Sequence, residues 1–419
     1  MNRKTIGVDE KVPINMLIPL SLQHTFAMFG ASVLVPLVFN MDPSIVLLMN
    51  GIGTLLLIWI TQGKVPAYLG SSFAFLGPTQ IILAKYPFSY ALGGFVAVAL
   101  LGCFISYIIK KKGVDWLDIV LPPAAMGAVV ALIGLQLASA TISGGAIGAN
   151  IMGETATFEN RLVFGVTLAF AVFGSVLFKK FWATIPILIS IVAGYLTALA
   201  CGLVDFTLVK EASLFVLPKF QTPSFHIEPI LTMLPVTLVI MSENISHQVV
   251  TSNIIGRNII KDPGLDKTIL ADNLSTAISG LLGSVPTTTY GENIGVMAVT
   301  KVYSVQVIAG AAIFSILMAF IGPLAALIRT IPGDVIGGVT FLLYGMIGAS
   351  GLRLLVDEQV DFSKSSNLIL TSVILVTGLS GLKLTFSNIE LSGMVLASVV
   401  AVLLSIVFHF CRKLGWLEE

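Results

Sequence analysis

Charge is scarce in this sequence: Asp, Glu, Lys and Arg together make up 11% of its 419 residues, where a soluble domain carries about a quarter. With 56% hydrophobic residues, the chain reads as a polytopic membrane protein. Cysteine is rare as well. The three present (Cys103, Cys201, Cys411) lie in or beside apolar runs with no pairable spacing, which excludes a disulfide scaffold and a Cys/His metal site. Neither sign of charge dominates, and a net charge of +1 leaves no footprint for nucleic acid. Enzyme signatures are missing too: there is no HExxH pattern, no GxSxG elbow and no pair of aspartates within the apolar runs. The first eleven residues, MNRKTIGVDEK, are polar, and no short apolar stretch ends in a small-residue cleavage site. The expectation is a cytoplasmic tail at 1–11 and no removable signal peptide.

Long apolar runs are what the sequence has in abundance. Runs able to cross about 30 Å of hydrocarbon lie at roughly 13–39, 44–61, 89–109, 121–142, 161–180, 184–204, 228–255, 268–284, 304–328, 333–355, 365–382 and 389–411. Two more pieces, VPAYLGSSFAFLGPTQIILA (65–84) and GSVPTTTYGENIGVMAVT (283–300), are too rich in Gly, Ser, Thr and Pro for plain helices. Counting both as crossings gives fourteen. The positive-inside rule supports that number. With the N-terminus inside, 17 basic residues, including the Lys110-Lys111-Lys112 run, fall on cytoplasmic segments and only six (Lys85, Arg161, Lys210, Lys219, Arg329, Lys383) on the other side. If the two weak pieces stayed on one side, the Lys run would change faces and the bias would collapse. Both termini are therefore expected in the cytoplasm, with the chain in the cell membrane.

The weak pieces are the third and tenth crossings, each the third element of a seven-crossing half. An odd number of crossings per half makes the two halves inverted, and broken helices at matching positions of inverted repeats point to a transporter's binding site. Glycines that merely let helices pack closely would also account for the pattern. Ionisable residues at depth strengthen the transport reading. Glu243 sits near the middle of 228–255, His247 lies one turn further on the same helical face, and Glu292 falls inside the second broken piece. A bare carboxylate in hydrocarbon costs at least a few kcal/mol, so such residues face a protein interior or a wet cavity. A hydrogen-bonded structural acid is the plainer role for each glutamate, and a packing histidine for His247. Gln23 and His24 read equally as interhelical glue. Asp272, one turn into its run beside Lys261 and Lys267, and Asp334, at the start of another, read as interfacial or helix-start acids.

Backbone N–H groups exposed at a broken helix suit carbonyl oxygens or anions, and carboxylates suit N–H donors. A flat ring bearing both N–H and C=O groups satisfies the two together, with Phe73 or Tyr290 against its face. A nucleobase fits this description, but so do an amino acid or an amide.

The run Glu292-Asn293-Ile294-Gly295-Val296-Met297-Ala298-Val299-Thr300-Lys301 resembles the signature of the nucleobase-ascorbate transporter family, and Gln23-His24 is similar to that family's paired motif in its first helix. IPLSLQHTFAMFGASVLVP, GKVPAYLGSSFAF, LPPAAMGAVVALIGL, TTYGENIGVMAVTKVYS and LLYGMIGASGLR resemble the family's bacterial uracil permeases. The resemblance implies an all-α polytopic fold of fourteen crossings in two inverted repeats, the third and tenth each a short strand followed by a helix. It implies a core domain (12–110 and 228–328), a gate domain (121–205 and 332–411) and a homodimer. It also implies proton-coupled import of uracil, with protons as the coupling ion and no cofactor or metal. Carried over by position, Phe73, Glu243, Gly291 and Glu292 would hold the base and His247 would serve proton coupling. Tyr290 and His24 would reach the base directly or through water, and Tyr344 would sit on the gate side. The chain departs from the family pattern at Asn244, where a His or similar residue is usual, and at Thr287, where Asn is usual. Transport of xanthine or another purine, a proton-independent facilitator and an intramembrane enzyme remain as alternatives.

Overall fold

The computed structural model describes the whole chain except residues 1–4, 139–150, 152–155, 180–181, 387–388 and 418–419. In a hydrocarbon solvent a spanning segment must satisfy its own backbone, which leaves helices as the default for these apolar runs. The chain is accordingly mostly helical, and among the described residues seven helical stretches are long and apolar enough to cross a bilayer.

The first half runs α1 (Ile14–Val38), α2 (Pro43–Ile60), strand β1 (Leu69–Ser71), a 3-10 turn (Phe73–Phe75), α3 (Leu76–Leu83), α4 (Phe88–Lys112), α5 (Leu117–Val120), α6 (Pro123–Ala138), α7 (Phe158–Leu177) and α8 (Pro186–Ala200). After the short α9 (Thr207–Lys210) come α10 (Ile227–Met233), α11 (Val236–Ile255), α12 (Leu265–Leu282), strand β2 (Thr287–Thr289) and α13 (Gly291–Thr300). Then follow α14 (Val305–Ala319), α15 (Gly322–Arg329), α16 (Gly333–Asp357), α17 (Ser365–Leu379), strands β3 (Lys383–Phe386) and β4 (Ile389–Ser392), and α18 (Gly393–Lys413). Local signals explain the boundaries. Asp42 caps α2 by accepting from the Ser44 N–H at 3.0 Å, Thr157 and Asn160 form a capping box on α7, and Gly256 and Gly283 end α11 and α12 in the left-handed region.

Three expected spans differ in detail. The run 228–255 is divided between α10 and α11 at Pro235, which has no N–H to continue the ladder. The run 304–328 breaks between α14 and α15, where Gly322 is held by Leu214 (Gly322 N–H to Leu214 O, 3.1 Å) and Pro323 opens the new helix. The run 389–411 begins with β4, paired antiparallel to β3; this hairpin is a departure from the all-helical expectation. The segment 5–11, expected as a tail, is docked: Ile6 forms a parallel bridge with Val302, and Val8 is buried.

Both weak crossings carry a short strand followed by a helix, and the strands pair with each other. β1 and β2 run antiparallel in the register Leu69↔Thr289, Gly70↔Thr288, Ser71↔Thr287, extended by Tyr290 N–H to Tyr68 O (3.0 Å) and Ser72 N–H to Pro286 O (2.8 Å). The outer edges of this ribbon need partners, because an exposed edge at depth leaves backbone groups unpaired. Threonines from the preceding helices supply them. Thr54 Oγ1 of α2 accepts from the Leu69 N–H at 2.9 Å, and Thr276 Oγ1 of α12 accepts from the Thr287 N–H at 3.1 Å while donating to Thr287 O at 2.9 Å. Around the ribbon, α4 packs on α12, and α2 packs on α12 and α14. A second set of helices packs mainly within itself: α6 on α16, α7 on α8 and α16, and α17 on α18 and α6.

Candidate functional site

The ribbon delivers two helix starts to one place. Phe73 opens the turn after β1, and Gly291 and Glu292 open α13 after β2, so the N-terminal ends of two half-helices, each carrying partial positive charge, flank the same point. Across from them runs α11, which contributes Glu243 and His247. His247 Nδ1 lies 3.0 Å from Thr289 Oγ1, and a Cβ added at Gly291 would stand 3.4 Å from His247 Nε2. The start of α13 thus lies beside the histidine, within van der Waals reach of a side chain at 291. Glu243 lies within electrostatic reach of Glu292.

Aromatic rings close the other sides. Phe73 packs edge-on against Tyr344 of α16, with ring centroids 6.1 Å apart at 81°, and Tyr290 leans on Tyr68 at 6.5 Å. All four rings are buried. Glu243, His247 and Glu292, by contrast, are half-buried, and Gly291 and Gly295 on one face of α13 are exposed. The ionisable side chains are thus partly reachable while the four rings are enclosed.

Several buried polar atoms here have no hydrogen-bond partner: Glu243 Oε2, His24 Nε2, the Ser71 and Ser72 hydroxyls, and the Tyr290 and Tyr344 hydroxyls. The Tyr290 hydroxyl points toward Ser32 and Ser71 without closing a bond to either. Buried polar side chains are ordinarily satisfied, and these atoms could take up a polar ligand with both donors and acceptors.

The sequence expectations gather around this point: Phe73, Glu243, His247, Tyr290, Gly291, Glu292 and Tyr344 all line the region. His24 sits behind it, tied through Nδ1 to Asn293 Oδ1 at 3.1 Å, and Asn293 Nδ2 donates to Pro66 O at 3.1 Å. One histidine and one amide thus fasten α1, the lead-in to β1, and α13. Asp334 opens α16 in its first turn, as expected.

Asp272 requires a correction. Read from sequence as interfacial, it is buried mid-helix in α12, where its Oδ2 accepts from Asn244 Nδ2 at 3.1 Å and lies 3.5 Å from Thr288 Oγ1. It is also within electrostatic reach of Glu243, so Glu243 has a second acidic neighbour besides Glu292. Asn244, the departure from the usual family residue, is what links α11 to it. The nearby Lys261 and Lys267 gave the misleading interfacial signal, while α12 begins at Leu265, ahead of the expected span, and so carries Asp272 to mid-helix. Removing the acceptor strands two donors, at about 1–3 kcal/mol. Asp272→Ala is expected to weaken ligand binding about tenfold, with Asp272→Asn losing less because it keeps one acceptor for Asn244; equilibrium binding to purified protein checks this. Among the described residues no group of His, Cys, Asp and Glu is arranged to hold a metal ion.

Comparison with known proteins places this architecture. The chain is 53% identical over 417 residues to the uracil permease of Escherichia coli K12, covering 99% of this chain and 96% of that protein. It is 49% identical over 421 residues to the uracil permease of Paenibacillus larvae, covering all of both. In fold it is similar to the transmembrane domain of a cyanobacterial bicarbonate transporter, BicA (TM-score 0.63, 13% identity, 96% of this chain and 99% of that one). It is also similar to the murine anion transporter Slc26a9 in its inward-facing state (TM-score 0.67, 11% identity, 96% of this chain and 69% of that one). Residues 15–387 match the model of a permease family. With that match spanning most of the sequence, and with two strand-then-helix pieces pairing beside half-buried acids, the chain belongs to the permease family of nucleobase-ascorbate transporters.

Proposed function

We propose that this protein imports uracil across the cell membrane together with protons, by alternating access around the cleft between the β1–β2 ribbon and α11. The observation that carries the reading is the antiparallel pairing of β1 with β2, which sets two helix starts and Glu243 and Glu292 around one half-open space. Uracil is a flat neutral ring with alternating N–H and C=O groups. Its N–H groups fit the carboxyl oxygens of Glu243 and Glu292, its carbonyls fit the backbone N–H groups at Phe73 and Gly291, and its face fits the Phe73, Tyr290 and Tyr344 rings. The high identity to uracil permeases favours uracil over a purine.

The proposed topology has fourteen crossings in two inverted halves, with both termini cytoplasmic. The matching roles of Thr54 and Thr276, each on the helix preceding its strand, support the repeat. A core of α1–α4 and α10–α15 holds Phe73, Glu243 and Glu292, and a gate of α5–α8 and α16–α18 supplies Tyr344; the separate packing of these two helix sets supports that division. Closing the site around a bare carboxylate is costly in a low-dielectric setting. Protonation of Glu243 or Glu292, with His247 as relay, removes that cost, and the gate then rocks past the core and releases base and proton inward.

Uptake of labelled uracil into proteoliposomes tests the reading. A pH difference of one unit, inside alkaline, is worth about 1.4 kcal/mol per proton, so accumulation should rise about tenfold per unit and vanish with a protonophore. Uptake indifferent to both would favour a facilitator. His247→Leu is expected to cut proton-driven accumulation about tenfold while equilibrium binding changes less than about threefold; equal losses would reduce His247 to a structural role.

A further inference from the structure

The segment just before α1 docks in a way that transport itself does not require. Ile6 N–H donates to Lys301 O at 3.0 Å, Tyr303 N–H donates to Ile6 O at 2.8 Å, and Val305 N–H donates to Val8 O at 3.1 Å. Further along, Ser304 Oγ donates to Glu10 O at 2.8 Å and Val12 N–H to Gln306 Oε1 at 3.1 Å. These partners are the residues that leave the C-terminal end of α13. That helix has only ten residues; the β1–β2 ribbon and the Asn293 contacts fix its start, and the segment docked at its far end fixes the other end.

Val8 also joins two elements. It is 3% exposed and packs in one apolar cluster with Ile294 and Met297 of α13, Tyr303 and Val305, against Val250, Ile254 and Ile255 of α11. Asp9 reaches the same end of α11 through Arg257 at 2.6 Å. The two helices wedged together by Val8 carry Glu243 and His247 on one side and Gly291 and Glu292 on the other. Ile294 is two residues from Glu292, and Met297 is about 7.5 Å along the helix from Glu292 at 1.5 Å per residue.

We infer that residues Ile6–Val12 act as a positioning strap, which clamps the cytoplasmic ends of α11 and α13 so that Glu243 and Glu292 stand at the separation the base requires. The inference rests on the proposed uracil site. Its direct contacts are apolar packing and backbone hydrogen bonds, both insensitive to salt. The exposed Asp9–Arg257 pair contributes little, as surface pairs do.

The test uses the full-length protein in detergent or nanodiscs, with three readouts: uracil binding, thermal unfolding, and hydrogen–deuterium exchange of the α13 amides. Val8→Ala empties the wedge, Ile6→Pro removes the donor to Lys301 O, Val8→Ile refills the wedge, and Asp9→Asn serves as a control. Networks of this kind modulate coupled sites by about three- to thirtyfold. Val8→Ala and Ile6→Pro are expected to weaken binding within that range and to speed α13 exchange with and without uracil. Val8→Ile and Asp9→Asn should stay within about twofold of wild type. Exchange in α13 that is unchanged in both disrupting variants overturns the strap, as does unchanged affinity of the folded fraction. A wild-type protein that binds no uracil overturns the transport reading instead, while exchange measured without ligand still decides the strap.

Discussion

Glu292→Gln is expected to abolish uracil uptake and to lower binding by about five- to a hundredfold. Glu292 is in the first turn of α13 and stands within electrostatic reach of Glu243. In the proposed pose its oxygens accept from a ring N–H. A carboxamide of the same shape can present a donor there, leaving two donors face to face and a mismatch of about 1–3 kcal/mol, and it removes the proton-carrying group as well. The fold should not suffer, because the substitution takes away one of several like charges gathered at one point. Thermal unfolding at or above the wild-type temperature, together with lost binding of labelled uracil, is the expected result. Normal uptake in this variant would remove Glu292 from the site.

The second large effect is expected at a residue with no side chain. Gly70 is the middle residue of β1, opposite Thr288, and a Cβ built on it falls within the ring of Tyr290. That ring is buried against Tyr68, and the Tyr290 backbone is fixed by its N–H bond to Tyr68 O. Neither side can give way without opening the ribbon that holds the two helix starts together. Gly70→Val is therefore expected to reduce uptake roughly a hundredfold, and overpacking of this kind costs about 1–3 kcal/mol of stability. Gly70→Ala, with a single added methyl, should fall between. Uptake by the folded fraction, normalised to protein that elutes as a single species, is the measurement. Full activity in the valine variant would show that Tyr290 can leave Gly70 without harm.

Much of the site was legible in the sequence because its ingredients break local rules. Glycines, prolines and hydroxyl residues inside runs long enough to span, and carboxylates in otherwise apolar helices, stand out without any structure. Helical spacing also put His247 on the face of Glu243. What escaped depends on contacts between distant parts of the chain. Asp272 was misplaced because its run follows a basic loop, and nothing local shows that α12 turns this residue toward Asn244 and Thr288. Asn293 stood inside the recognised run, yet its tie to His24, 269 residues away, has no local trace. The hairpin β3–β4 was absorbed into the following apolar span. Residues 5–11 looked like a solvated tail because their polarity is high and their pairing partner, around Val302, is almost three hundred residues downstream.

The order in which the ribbon's strands are synthesised also constrains how this protein is made. Leu69 pairs with Thr289, so β1 is synthesised long before the strand that satisfies its extended backbone has left the ribosome. Open backbone is not tolerated against lipid. Until residues 287–289 arrive, the backbone of β1 has no strand to pair with, and a chain truncated before residue 287 is expected to leave those groups without their partners.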